Sequence, residues 1–421
     1  MTSDRVALCL VGCGGMGSRH ILGLAALQRT GLSTVDLVAV CDLDETAAQR
    51  AAGEAEELLG RRPKVHLSIA DAVADPDIAA FDVVTEASSH LAVTLPALRA
   101  GKHVLSEKPL GITVRSCLAM VEAAAASGAV LATAENYRRD PPNRLVRAVL
   151  DAGLLGEVFL AQETRLGGSD LIITTPWRHL KDRGAIGLDM GVHLTDVFQY
   201  YFGPIASVYG DGFIAEPVRR RRPSPSRDLP AYRAAWEKLP EQVTATGEDS
   251  VVALYRMESG VRVQLSYVNS GLGKRYLSRS IHGRLGSLEI SKDRSGRGPV
   301  LHRDGATLTG REILAELPDF ALDDVTSALF GADGVEYDLP AGEADAGGLA
   351  IELHDFGRAV LTGTPPEVDG EGGTTAVAGL LGAYESGLLG RPVTMKELLD
   401  ATVSAYQDPV DAQLGLTEVA R

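Results

Sequence analysis

Val6-Ala7-Leu8-Cys9-Leu10-Val11-Gly12-Cys13-Gly14-Gly15-Met16-Gly17 is the stretch that decides the fold. Six apolar residues read as a buried strand. The following Gly-x-Gly-x-x-Gly run is a tight turn. Residues 18–29 then place Ile21, Leu22, Leu24, Ala25 and Leu27 at helical spacing. Strand, glycine turn and helix in this order make a dinucleotide site. Gly12 permits the turn, Gly14 lets a pyrophosphate approach the backbone, and Gly17 lets helix and strand pack closely. Gly15 and Met16 complete the loop at the helix N-terminus, whose free N–H groups attract phosphate. The next strand, 35–41, runs into Asp42. A carboxylate there accepts hydrogen bonds from ribose hydroxyls and repels a 2′-phosphate. Leu43 and Asp44 follow, with no arginine, so NAD is expected rather than NADP.

The same alternation continues outward from that unit. Strands are expected at 82–85, 103–106 and 129–133, and helices at 45–59, 91–100 and 114–127. Repeated strand–helix order predicts a parallel sheet covered on both faces, and a first domain over 1–138. After Asp140-Pro141-Pro142 the pattern changes. A helix over 143–152 is followed by strands at 157–165, 206–214, 250–257, 261–268 and 276–282, with a hairpin turn at 257–261. Helices at 347–361 and 374–389 close the chain. The expected fold class is α/β: an N-terminal Rossmann dinucleotide-binding domain, then a C-terminal α+β domain over 139–421 built on an open, mostly antiparallel sheet. The Pro- and Ser-rich segment 217–230, with Arg219 to Arg222, reads as a solvated basic loop or as an active-site lid.

Length and charge narrow the function. The chain has 421 residues, more than one core usually supports. A net charge of −15 repels phosphate backbones and anionic lipid, so neither nucleic acid nor membrane is an expected partner. No apolar run is long enough to span a bilayer, and the N-terminus lacks a basic leader pattern, so the cytoplasm is the expected compartment. Cys9, Cys13, Cys41 and Cys117 form no CxxC pair, so buried thiols are expected, with no metal and no disulfide.

Two segments carry chemistry. Glu107-Lys108-Pro109 puts a lysine just beyond a parallel strand, on the side where doubly wound sheets bind ligands. Further on, Asp189, His193 and Asp196 share one helix face by their spacing. Oxidising a secondary alcohol needs a base for the hydroxyl proton, and histidine titrates in the right range. A carboxylate orients the base, and a lysine ammonium polarises the oxygen. Lys108, Asp189 and His193 supply this set. One histidine on that face is too few for a metal site. Trp177, Arg178 and Arg165 lie near these residues in sequence or at a strand end, and are expected to bind substrate. Their charge points to an anionic sugar such as a uronide or sulfosugar, with neutral-sugar hydrogen bonding as the other reading.

Taken together, these motifs resemble the Gfo/Idh/MocA oxidoreductases, the family of glucose–fructose oxidoreductase and inositol dehydrogenase. The likeness rests on Gly12 to Gly17, Asp42, Ala100-Gly101-Lys102-His103-Val104, Glu107-Lys108-Pro109 and the run from Gly187 to Asp196. It implies a nicotinamide held between a Rossmann domain and an open-sheet domain. It implies Lys108, Asp189 and His193 as catalytic residues, and homodimers or homotetramers formed through the open sheet. Ser88, His90, Glu107 and Lys108 would meet the cofactor, and Tyr137 the substrate. Glu86 stands where the family often has proline, in Thr85-Glu86-Ala87-Ser88-Ser89-His90. Three functions fit the resemblance. The first is an NAD-dependent dehydrogenase of a sugar, sugar acid or cyclitol. The second is a redox-neutral NAD-dependent glycosidase, for which Glu163 or Glu135 would be extra acids. The third is a non-enzymatic NAD or sugar sensor.

Overall fold

The computed structural model describes residues 5–221, 230–271, 273–332 and 334–416. The chain divides into two compact units. The first contains Met1–Asn136, Pro223–Leu239 and Gly342–Thr374; the second contains Tyr137–Arg222, Pro240–Ala341 and Thr375–Arg421. The first crossing lies between Asn136 and Tyr137, whereas the sequence put its boundary at 138/139. The sequence did not suggest that the chain returns twice to the first unit. The reason for the later return is packing. Helix Ala341–Thr362 carries Leu349, Leu353 and Phe356, all buried. Leu349 lies against Gly23, where a side chain would leave no room, and the Thr34 hydroxyl donates to the His354 carbonyl.

The first unit runs β1 (Val6–Val11), α1 (Gly15–Thr30), β2 (Val35–Cys41), α2 (Glu45–Leu59), β3 (Lys64–His66), α3 (Ile69–Ala74), β4 (Ala80–Val83), α4 (His90–Arg99), β5 (His103–Glu107), α5 (Val114–Ser127) and β6 (Leu131–Ala134). The six strands are parallel in the order β3-β2-β1-β4-β5-β6. The order reverses between β1 and β4, so the glycine turn after β1 stands at the switch point where doubly wound sheets bind ligands. The fourth strand begins two residues earlier than expected. Asp82 therefore lies inside it, fully buried, in an otherwise apolar strand.

The second unit contains α6 (Pro141–Asp151), β7 (Val158–Gly167), α7 (Ile186–Phe202), β8 (Ile205–Phe213), β9 (Val218–Arg220), β10 (Gln242–Thr244), β11 (Ser250–Met257), β12 (Arg262–Asn269), β13 (Tyr276–Gly283), β14 (Gly286–Glu289), β15 (Val300–Arg303), β16 (Ala306–Thr309) and β17 (Val393–Thr394). Nine strands form one sheet in the order β16-β15-β14-β13-β7-β12-β11-β8-β17. All pairs are antiparallel except β7 with β12. Along β11, buried and exposed residues alternate, so one face is covered. Its cover includes the helix Gly370–Leu389, whose Ala383 and Tyr384 fill the room left by Gly210 and Gly212 of β8. The other face is open.

The basic segment differs from expectation. Arg219 and Arg220 belong to β9, which pairs with β10, and Arg219 is 0% exposed. Its guanidinium donates to Asp249 at 2.5 Å and to the Ser169 carbonyl at 2.7 Å. The ion pair removes the reason for a solvated arginine. Residues 222–229 of that segment lie outside the described residues. Among the described residues, no helix is long and apolar enough to cross a membrane. All four cysteines are buried and none is in a disulfide, and burial pushes the Cys9 thiol well up and the Cys41 thiol to about 11.

Candidate functional site

In the first unit the glycine turn has the shape its sequence predicts. Gly12 has φ +102°, and a Cβ there would come within 3.0 Å of the Val84 and Thr85 backbone. A Cβ on Gly17 would collide with the Gly12 carbonyl. Gly14, by contrast, faces open space within 4 Å of its Cβ position, a cradle into which a pyrophosphate fits. Gly15 opens α1 and is covered by the ring of Tyr232, from the helix Pro230–Glu237; no sequence signal marked that residue. Met16 sits beside it, its sulfur 3.9 Å from the Tyr232 hydroxyl. The half-buried Asp42 accepts from the Cys13 N–H at 2.6 Å with one oxygen and from the Asp44 N–H at 2.9 Å with the other. It thus shapes the turn as well as standing at the strand end where a ribose binds.

Around the Lys108 turn, the expected cofactor residues have mainly internal partners. Ser88 donates to Glu86, 2.9 Å, so the carboxylate standing in place of a proline is engaged locally. His90 is buried and bonds the Pro109 carbonyl through Nδ1 at 2.9 Å, while Nε2 lies 3.3 Å from the Thr85 carbonyl. Burial lowers the His90 pKa despite the Pro109 and Thr85 carbonyls, so a neutral ring that donates from Nδ1 is the better description. The Glu107 carboxylate faces His20 at 3.3 Å and accepts from the Lys108 N–H at 3.0 Å. The Lys108–Pro109 peptide bond is cis. Lys108 follows the last residue of β5, the position its motif predicts.

In the second unit, Asp189 and His193 both lie on α7 and both are buried. Asp189 sits in the first turn, where the positive end of the helix dipole favours its charge. Arg178 donates to it from Nε at 2.8 Å, and lies 4.3 Å over the Trp177 ring. Tyr137 stacks on His193, centroids 3.9 Å apart and planes 4° apart. Its ring is flanked by Arg165 at 5.8 Å and Arg294 at 5.2 Å. Sequence reasoning missed Arg294, which lies far along the chain and carries no motif. Arg165 itself is held in a closed ion quartet. It bonds Glu163 and Asp293, and Arg279 bonds the same two carboxylates at 2.6 and 2.7 Å. Asn143 donates to Asp293 at 2.9 Å. Burial opposes its charge, but the arginines pull the Asp293 carboxyl far below the usual range. Glu163, considered as an extra acid, is fully taken up in this quartet. Asp196 pairs with Arg138.

Comparison with known proteins adds identity to this geometry. A model described as "Oxidoreductase family, NAD-binding Rossmann fold" matches residues 6–135, and one for the "GFO/IDH/MocA C-terminal domain" matches residues 143–289. The chain is 28% identical over 294 residues to a levoglucosan dehydrogenase of Pseudarthrobacter phenanthrenivorans, covering 68% of this chain and 73% of the relative. It is 38% identical over 152 residues to inositol 2-dehydrogenase 2 of Saccharopolyspora erythraea, covering 36% of this chain and 42% of that relative. Its fold is similar to a structure of levoglucosan dehydrogenase in complex with NADH, with TM-score 0.72 and 21% identity over 93% of this chain and 99% of the other.

Proposed function

The chain belongs to the Gfo/Idh/MocA oxidoreductases, with an NAD-binding Rossmann domain, and on that premise we propose that it is a dehydrogenase of a neutral sugar or cyclitol in which Lys108, Asp189 and His193 are the catalytic group. Two relatives bear names of this chemistry, levoglucosan dehydrogenase and inositol 2-dehydrogenase. The observation that carries the substrate class is the state of the cations. Arg178, Arg138 and Arg165 each face a carboxylate of the chain itself, so their charge is spent before a substrate arrives. This favours hydroxyl recognition over the anionic sugar that the sequence suggested.

The turn from Gly12 to Gly17 and Asp42 would hold NAD, which when bound accepts the hydride from the substrate carbon. His193 takes the hydroxyl proton as the C–H bond breaks and the carbonyl forms. Asp189, one helical turn earlier, favours the imidazolium that results, and Arg178 fixes the carboxylate's own direction. Tyr137 limits the imidazole's rotation by stacking on it. The Lys108 ammonium donates to the substrate oxygen and steadies its developing charge. Second copies of the chain pair through the open face of the nine-stranded sheet.

Replacement of His193 by Ala is expected to lower kcat by about 10²–10⁴-fold, the usual worth of a positioned general base. Lys108→Ala should lose a similar factor. In His193→Ala the Kd for NADH, read by nicotinamide fluorescence, should change less than about threefold, since His193 is not among the expected cofactor contacts. Full turnover by His193→Ala would remove the residue from the catalytic group.

A further inference from the structure

We propose that Asp82, His20 and Glu107 form a buried relay that holds the backbone of Lys108 in place, which makes His20 a positioning residue for the reaction. The proposal rests on the reading of Lys108 as catalytic. The chain of contacts starts in the sheet core. Asp82 of β4 faces His20 of α1, 2.8 Å from its Nδ1. His20 Nε2 lies 3.3 Å from Glu107 Oε1 at the end of β5. The other oxygen of the same carboxylate, Oε2, accepts from the Lys108 N–H at 3.0 Å. One residue further on, His90 donates to the Pro109 carbonyl at 2.9 Å. The backbone of the lysine turn is therefore tied on both sides, by Glu107 before it and by His90 after it.

Packing alone does not call for these groups. His20 and Asp82 are 0% exposed and Glu107 is 5% exposed. Apolar residues of similar volume would fill that space without the cost of burying charge. What the polar set adds is direction. A carboxylate fixed at one oxygen by an imidazolium presents its second oxygen at a defined place, and the Lys108 N–H uses it. Burial works against a charged His20, but Asp82 first and Glu107 next outweigh it and hold the ring's pKa well above its ordinary value. Glu107 is held low, against burial, by His20 first, then Lys108 and Arg19. Glu352, from the helix Ala341–Thr362, is a further carboxylate close by: among the described residues, ligand atoms of His20, Glu107 and Glu352 lie within 4.8 Å of one another. Both His20 nitrogens already meet carboxylates, the arrangement of a doubly protonated ring and not of a metal ligand.

Hydrogen exchange reads the relay without any substrate. In His20→Asn, the amides of Ser106, Glu107, Lys108 and Leu110 should exchange at least about tenfold faster than in the wild type, while amides of β1 and β2 keep their protection. kcat with an active sugar should fall at least about tenfold, and the Kd for NADH should move less than about threefold. Asp82→Asn, which keeps an acceptor for His20, should show the same pattern at smaller amplitude; it also serves if His20→Asn does not fold. Unchanged exchange at Ser106, Glu107, Lys108 and Leu110, or faster exchange spread evenly over the first unit, would overturn the relay. So would one tightly held equivalent of a transition metal in the protein as purified, measured by mass spectrometry. If the wild type oxidises no sugar, the catalytic reading fails on that result, and the exchange data still decide whether His20 holds the Lys108 backbone.

Discussion

Asp42 shapes the glycine turn, and on the proposed reading it also selects the cofactor. Its carboxylate accepts from the N–H groups of Cys13 and Asp44, so it closes the glycine turn onto the end of β2. The same negative charge opposes a 2′-phosphate. Asp42→Ser should therefore raise kcat/KM for NADP at least about tenfold relative to NAD, a change of about 1.4 kcal/mol in discrimination. It should also weaken both cofactors, because one hydroxyl oxygen replaces the two carboxylate oxygens that the Cys13 and Asp44 N–H groups use. Steady-state kinetics with the two cofactors checks this, and an unchanged ratio would assign Asp42 to shape alone. The residues that sequence made legible are those whose chemistry leaves no substitute. Gly12 needs its positive φ and its 3.0 Å approach to Val84 and Thr85, so glycine is written into the motif. His20 was not legible as a functional group, since a histidine amid apolar helix residues reads as core. Its meaning depends on Asp82 and Glu107, brought to it by two strands that sequence spacing does not connect. Asp82 offered the one available hint, a carboxylate in a strand buried on both faces.

Among the elements, β9 departs most from its sequence. A run of arginines beside prolines and serines reads as solvent-exposed, and Asp249 and the Ser169 and Asn269 carbonyls, all distant in sequence, turn Arg219 inward. Asp249 also accepts from the N–H groups of Ala215 and Glu216 at 2.9 Å, so one carboxylate anchors the entry to β9 and the strand itself. Breaking a buried pair strands its partner, so Arg219→Met should cost about 3 kcal/mol of stability, read from urea unfolding. A cost under about 1 kcal/mol would show that Asp249 finds other partners. The turn before α7 has its own pH dependence. His179 accepts the Ile173 N–H at Nε2, and its ring is buried. Burial first, then Arg219 and Arg178, lower its pKa to about 4. A folded value below the ordinary 6.5 means stability that is complete above pH 6.5 and lost as pH falls toward 4. The loss should reach on the order of 2–3 kcal/mol. His179→Gln, compared at pH 7.5 and pH 4.5, should remove that part of the acid sensitivity; an identical slope would place it elsewhere. Strand and helix boundaries elsewhere were readable to within a few residues where periodicity is strong. β14 to β16 escaped because four-residue strands in a glycine- and charge-rich stretch carry no mostly apolar run of the kind that marks β4 and β6.

At the scale of the whole molecule, the open sheet face asks for a cover. Tyr209 is 53% exposed, and Val252 and Leu254 are each 45% exposed. They stand together, since β8 pairs Tyr209 with Leu254. Apolar side chains grouped on a sheet face mark an association surface. Leu254→Asp should convert a dimer or tetramer to smaller species in light scattering coupled to size exclusion, with the far-ultraviolet spectrum unchanged. A monomeric wild type would remove the premise. Fold class and cofactor were legible because they depend on local patterns: glycine spacing, alternating apolar runs and one acidic strand end. The pairing of Arg165 and Arg178 was not, because the sequence shows the two arginines but hides the carboxylates of Glu163, Asp293 and Asp189 that meet them. Whether the protein is a neutral-sugar dehydrogenase is read most directly from the absorbance of reduced nicotinamide when the purified protein meets NAD and a panel of neutral sugars, cyclitols, uronates, sulfosugars and their glycosides. Sustained accumulation is expected with a neutral sugar or cyclitol, lost about 100-fold or more in His193→Ala. Accumulation only with acidic sugars, or a rise that stops at one equivalent of enzyme while a glycoside is consumed, would contradict it.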